Sequence, residues 1–404
     1  MGLDLSQTLQ QLDSLAGRLN GSRDDRARRL AGMVAAMSQA DASEVRRKAE
    51  AEYNRERTYL CAIPVDRFAG SYSPRPVPGD FCVASSDGSH IDVDRHIPVR
   101  CYLINIGGCL FTYGSSPDAQ LFSSPKLYTE DDELYITDPS SASNAVAVQG
   151  PLLGLKRAVD EVADLASAVE RASPGVPVLA VVDGSLIMWG LGGRGYQTFI
   201  RNKILDEGLL PELNKLRELG RDRDLAVAAY VSLTQSTEVV NALRLVLCPY
   251  DAVECRQQCS VHRSGLNPCD IVNGFLDRHL FQEILGPGER SDLYRTDSSI
   301  SRDFYGPHRI YFYYINTGDE IARVEVPEWV ARDEKLLAMS HTLILDQCRR
   351  GMGYPVAIAE AHEQAVVTGK DREAFKQLLE NALTRQRLPV YTSEKNRSKE
   401  MRWL

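Results

Sequence analysis

Twice in this chain an aspartate stands in an Asp-Gly-Ser triplet beside an apolar stretch, at Asp87-Gly88-Ser89 and at Asp183-Gly184-Ser185. Two carboxylates delivered by separate rigid elements suit a hard divalent cation such as Mg²⁺ or Mn²⁺, which takes oxygen ligands, and a phosphodiester bond is the substrate most often attacked that way. Taken singly, each triplet also reads as a turn, because Asp-Gly is a common turn dipeptide. Between the triplets runs Leu155-Lys156-Arg157-Ala158-Val159-Asp160-Glu161-Val162-Ala163-Asp164-Leu165, with helical periodicity. Asp160 and Asp164 share one face of that helix, whereas Glu161 points about 100° away, toward the side of Arg157 and Leu165. Only one of these sides can face a sheet. Late in the chain, Pro355 opens a further helix on which Ile358, His362 and Ala365 align, with Tyr354 just before it. A histidine on such a face is most often a hydrogen-bonded core residue; beside a phosphodiester, a neutral imidazole can ligate metal or hold the attacking water, and a tyrosine hydroxyl can hold a phosphate oxygen.

The elements that must position these groups are legible in part. The run 178–183 is short, β-branched and bounded by Pro177 and Gly184, so it predicts a buried strand ending on Asp183. Further strands are expected at 81–85, 99–106, 109–113, 133–137, 226–231, 309–315 and 321–327, and helices at 151–172, 196–219, 235–246, 328–351 and 371–386. Mixed strands followed by alternating helices favour an α/β or α+β sheet. The first fifty-odd residues are helical in pattern, with Leu5, Leu9, Leu12, Leu15 and Leu19 at helical spacing and a second apolar face at Leu30, Met33, Val34 and Met37. Such helices more often pack on a partner than form a core. The expected organisation is an N-terminal helical region (1–58), a main domain (59–386) with a cysteine-rich irregular insertion (248–307), and a basic polar tail (387–404).

Composition narrows the function classes. At 404 residues, 43% hydrophobic and 25% charged, the chain has the make-up of a globular protein of two or three folding units. It contains no apolar run of about 18 residues and begins without a secretory signal, so a soluble cytoplasmic protein with no membrane partner is expected. Met1-Gly2 with Ser6 fits the loose myristoylation pattern but lacks the polybasic second signal that stable anchoring needs. A formal charge of -8 argues against a protein that coats nucleic acid, but not against a nuclease with an acidic metal site. Four of the nine cysteines, Cys248, Cys255, Cys259 and Cys269, fall in one segment with His262 among them. Their spacing is not that of zinc knuckles, yet four soft ligands in one loop could hold Zn²⁺ or an iron–sulfur cluster. Reduced thiols are the other reading.

Taken together, these pieces resemble the NurA family of DNA-repair nucleases. The matching segments are Ser86-Asp87-Gly88-Ser89 with Asp94-Arg95-His96, Tyr102-Leu103-Ile104-Asn105-Ile106-Gly107, Val182-Asp183-Gly184-Ser185-Leu186, Ala229-Tyr230-Val231, and Tyr354-Pro355 with Ala361-His362, in the family's order. The resemblance implies an RNase H-like mixed-sheet core flanked by helices, built as a toroidal homodimer, with Mn²⁺-dependent (or Mg²⁺-dependent) exonuclease and endonuclease activity on DNA. It also implies a HerA-type hexameric translocase ATPase as partner, in DNA end processing or defence. Carried over residue by residue, Asp87 and Asp183 take the places of two metal-ligating aspartates, and Glu161 that of the helical glutamate, with Asp160 as its alternative. Tyr354 and His362 take those of the C-terminal active-site tyrosine and histidine, His362 as a possible further ligand. The chain departs from the pattern at Ser232, where the family usually places a lysine. Two other readings stay open: a catalytically weakened adaptor of such an ATPase, and a ribonuclease, since a metal site of this kind does not itself choose the sugar.

Overall fold

The computed structural model describes residues 4–21, 23–51, 59–93, 99–192, 195–251, 253, 259 and 267–388. Asp94-Arg95-His96, Cys255, His262 and nearly all of the tail fall outside them. The chain forms two compact units, one made of Met1–Ser73, Leu233–Asp297 and Phe312–Arg323, the other of Pro74–Ser232, Ser298–Tyr311 and Val324–Leu404. Among the described residues no helix is long and apolar enough to cross a membrane.

The first unit carries the helices Leu5–Gly21, Arg23–Gln39, Ala42–Glu50, Glu238–Leu247 and Asp277–Ile284. Met33 and Met37 of the second helix are fully buried, and they join Val45, Phe68, Val240, Leu243, Phe281, Tyr294 and Tyr314 in one core. That helix therefore covers its apolar face within its own unit. The first helix does not: Leu5, Leu9, Leu12 and Leu15 are exposed, and the side chain of Leu19 lies outside the described residues. Within 267–307, expected to be irregular, the chain forms the short helices Pro268–Val272, Asp277–Ile284 and Ser299–Phe304 and two brief strands.

The second unit is a mixed sheet flanked by helices. Its strands are β1 (Phe81–Ile91), β2 (Tyr102–Tyr113), β3 (Asp118–Tyr128), β4 (Val178–Asp183) and β5 (Leu225–Val231), in the order β5-β4-β1-β2-β3, with residues 324–327 of the strand Ile321–Pro327 belonging to the same unit. β1, β4 and β5 run parallel, while β2 and β3 are antiparallel additions. β4 is Val-Leu-Ala-Val-Val before its aspartate, apolar on both faces, as a central parallel strand must be. β3 is exposed along nearly its whole length and ends the sheet, with Pro125 where an edge strand tolerates it.

Two helices pack on the strand that carries Asp87: α1 (Pro151–Glu170) and α2 (Val356–Ala365). α1 starts with proline in its first turn and buries Leu152, Leu153, Val159, Val162, Leu165 and Val169 at helical spacing. α2 lies so close to β2 that a Cβ at Gly107 would sit 2.1 Å from Ala365 N and 2.3 Å from Gln364 C. Backbone, unlike a flexible side chain, cannot step aside. Gly107→Ala is therefore expected to cost about 2–3 kcal/mol or more by lifting α2 off the sheet, read as a fall in Tm together with lost order around His362. A variant of wild-type stability would show that α2 packs elsewhere.

Candidate active site

Asp87 and Asp183 stand on neighbouring parallel strands, each one residue beyond the paired Ser86 and Val182. Because side chains alternate along a strand, Asp87 and Ser89 face α2, whereas Ser86 and Gly88 face α1. The contacts agree: Ser89 Oγ donates to Ala365 O at 2.5 Å, and Ser86 Oγ donates to Glu161 O at 2.7 Å. The two Asp-Gly-Ser triplets need their glycines for different reasons. Gly184 turns at φ +83°, a left-handed conformation that side chains other than glycine rarely adopt, and its N–H donates to Tyr230 O at 2.9 Å. Gly88 lies inside β1, and its missing side chain leaves space: a Cβ there would sit 2.7 Å from Glu161 Oε1 and 2.8 Å from Arg157 Cγ. The first triplet is thus strand, the second a turn.

α2 is anchored over this edge by the strands beneath it. Asn105 Nδ2 donates to Ala365 O at 2.9 Å, and Cys109 Sγ donates to Ala357 O at 3.3 Å. So held, α2 brings His362 Nδ1 to 2.7 Å from Asp87 Oδ2, and the segment before it brings the Tyr354 hydroxyl to 2.9 Å from Asp183 Oδ1, to which it donates. Tyr354 stands edge-on against Tyr230 at 5.6 Å between ring centres, which fixes its approach. The turn after Asp183 is set by Glu325, buried, whose Oε2 accepts from Ser185 Oγ at 2.7 Å and from Leu186 N at 3.0 Å. Sequence reading did not single out Glu325. Its signal was a carboxylate between Val324 and Val326 in the expected strand 321–327, a position that demands a partner once buried.

Glu161 approaches over Gly88 from α1. It is buried and paired with Arg157 at 3.0 Å, although neither Arg157 Nε nor Glu161 Oε1 makes an aligned hydrogen bond. Burial raises the Glu161 carboxyl to about 8; Arg157 opposes the shift, and the charges of Asp87, Asp183 and Asp160 reinforce it. Asp160 is engaged elsewhere. It accepts from the Tyr128 hydroxyl at 2.9 Å and pairs with Lys156 in a cavity of about 360 Å³ that Tyr102 also lines.

Each of the three carboxylates is thus held by a group of the protein: Asp87 by His362, Asp183 by Tyr354, Glu161 by Arg157. Among the described residues no three His, Cys, Asp or Glu side chains are grouped so as to hold a metal ion as they stand: Glu161 comes to β1 from the α1 face, whereas Asp87 points to the α2 face. The donor set nonetheless fits a hard divalent cation in its chemistry. It consists of oxygen ligands, one of them a buried carboxylate oxygen without an aligned donor and crowded by like charges, and such crowding is what a bound cation relieves. In the first unit, Cys248 ends the helix Glu238–Leu247 and Cys269 lies on Pro268–Val272, both buried, with Cys259 half-buried.

A family model, the NurA domain, matches residues 83–367. Among solved structures the chain is similar to the NurA nuclease from Sulfolobus solfataricus, with 11% sequence identity and a TM-score of 0.46 over 96% of this chain and 98% of that one. No curated protein matches it.

Proposed function

The chain belongs to the NurA family, and from that premise we propose that it is a Mn²⁺- or Mg²⁺-dependent nuclease that hydrolyses the phosphodiester bonds of DNA. The observation that carries this reading is the meeting of Asp87 with His362 and of Asp183 with Tyr354 at adjoining strands of one sheet. Asp87, Glu161 and Asp183 are the proposed metal ligands, with His362 as a fourth ligand or as the group that holds the attacking water. A bound ion would neutralise charge on the phosphate. Ser185, Glu325 and Gly184 fix the turn that aims Asp183, and Asn105 and Ser89 fix the helix that carries His362. The Asp183–Tyr354 bond orients that carboxylate; the phenol has one proton, so it would donate to a phosphate oxygen only on leaving Asp183.

The sheet that carries both aspartates is read as an RNase H-like core. A homodimer and a hexameric HerA-type ATPase are the proposed partners, and the exposed Leu5, Leu9, Leu12 and Leu15 of the first helix are the surface offered to one of them. For the cysteine segment the two readings remain reduced thiols and, second, a structural site for Zn²⁺ or an iron–sulfur cluster. The test of the catalytic reading is digestion of matched DNA and RNA strands with Mn²⁺ and with chelator. DNA cleavage that chelator stops is the expected result. Intact DNA under every condition, with the protein still bound to the ATPase, would point to an adaptor, and cleavage of RNA alone to a ribonuclease.

A narrower expectation concerns the two residues that touch the aspartates. His362 is more than half exposed, so His362→Ala removes little packing; it is expected to lower cleavage by about 100-fold while moving Tm by no more than a degree or two. Tyr354→Phe keeps the ring against Tyr230 and removes only the donor to Asp183, and a smaller loss of about tenfold is expected. Unchanged digestion rates in both would return these side chains to a structural role.

A further inference from the structure

Arg157 is a cation seated on the carboxylate that a metal would use. It lies four residues before Glu161 on α1, one turn away, and meets it at 3.0 Å. Both side chains fold over Gly88, where a Cβ would collide with each. The Arg157 side chain is 33% exposed, against 12% for that of Glu161. The pair also lacks the geometry of a committed salt bridge. Neither Arg157 Nε nor Glu161 Oε1 is aligned for a hydrogen bond, although arginine and carboxylate readily form two parallel ones. A structural ion pair at this depth would be expected to satisfy its hydrogen bonds, because an unsatisfied buried charge is costly.

On the metal-dependent reading of the site, we propose that Arg157 is a displaceable placeholder: it occupies the Glu161 carboxyl in the metal-free protein, is released when a divalent cation takes Glu161, and then contacts a phosphate of the nucleic acid. Two cations cannot share one small carboxylate site without mutual repulsion, so metal and Arg157 compete. The released guanidinium has somewhere to go, since a third of the side chain already reaches solvent. Its planar fork suits a phosphate. Metal and DNA then help each other to bind, and by linkage the coupling is the same in both directions.

The test is a pair of equilibrium titrations on the full-length protein: calorimetry with Mn²⁺, and fluorescence anisotropy with a phosphorothioate single strand that resists cleavage, with and without Mn²⁺. Arg157→Gln removes the charge and keeps much of the shape. It is expected to bind Mn²⁺ about 5–10-fold tighter than the parent and to lose most of the strengthening of DNA binding that Mn²⁺ gives. Arg157→Lys retains the cation and is expected to keep metal affinity near the parent value, which separates charge from packing should the Gln variant prove unstable. Mn²⁺ affinity in Arg157→Gln equal to or weaker than the parent's, or metal–DNA coupling equal in the two proteins, would overturn the assignment. A parent protein that binds no Mn²⁺ at all would instead overturn the metal-dependent reading on which it rests.

Discussion

Asp183→Asn is expected to fold as the parent does and to lose metal-dependent cleavage by about a thousandfold or more. The fold should survive because the position is held by backbone: β4 pairs with β1 and β5 on its two sides, Gly184 N donates to Tyr230 O, and Glu325 secures the turn beyond. Asparagine retains a carbonyl oxygen for the Tyr354 hydroxyl, so the local hydrogen bond is kept as well. What disappears is one negative charge at the point where two strands present theirs side by side. Asp160→Asn is the matched control. It removes the same charge from the cavity shared with Tyr128 and Lys156, and cleavage is expected to stay within about twofold of the parent. Normal digestion by a folded Asp183→Asn protein, or a loss confined to Asp160→Asn, would move the metal site to another place.

Glu161→Gln should abolish cleavage and at the same time make the metal-free protein more stable at pH 8. The folded-state value of about 8 lies above the ordinary glutamate value of 4.5, with burial as the leading cause. Between those two values the folded protein keeps a proton that the unfolded chain has given up. This contribution to stability is therefore present at low pH and is lost as pH rises through the window from about 4.5 to about 8. Glutamine does not titrate, and Arg157, partly exposed, is able to turn to water once its partner is neutral. The parent and the variant are thus expected to melt alike near pH 5 and to separate by several degrees near pH 8, the variant higher. Added Mn²⁺ should raise the parent's Tm and leave the variant's nearly unchanged. Thermal melts across this range decide the matter; a variant that is less stable at pH 8 would mean that the Arg157 pair is structural.

How much of the fold and the site was legible in the sequence depends on what each residue does. β4 could be bounded to the residue, because a fully buried parallel strand is a continuous apolar run and Pro177 and Gly184 close it at both ends. β1 runs six residues past the expected 81–85, since Ser85, Ser86, Asp87, Ser89 and His90 break the apolar signal while hydrogen bonding to β2 continues to Ile91. Gly107 and Gly108 suggested a break between two strands. They lie inside one, where α2 and the Phe122 ring press too closely for side chains. β3 carries no apolar alternation because both of its faces meet solvent, and it could not be foreseen from periodicity. The order of acidic residues on α1 was equally beyond sequence, because one residue of helix register decides whether Glu161 or Asp160 lies over Gly88. Asp87 and Asp183 were singled out by residue type and setting, and Tyr354 and His362 in their site roles by the family resemblance; the structure sets His362 against Asp87 and Tyr354 against Asp183. Helix periodicity placed Glu161 on the side of Arg157, but it could not show that the two meet over Gly88.

Locating the ion tests the central claim most directly. Crystals of the protein grown or soaked with Mn²⁺ give an anomalous signal at the manganese edge that marks the metal independently of any assumption about ligands. An anomalous peak bounded by the carboxylates of Asp87, Glu161 and Asp183, with the Arg157 guanidinium withdrawn from Glu161, is the predicted result. A protein that digests DNA with Mn²⁺ yet shows its peak elsewhere, with Arg157 still seated on Glu161, would contradict it.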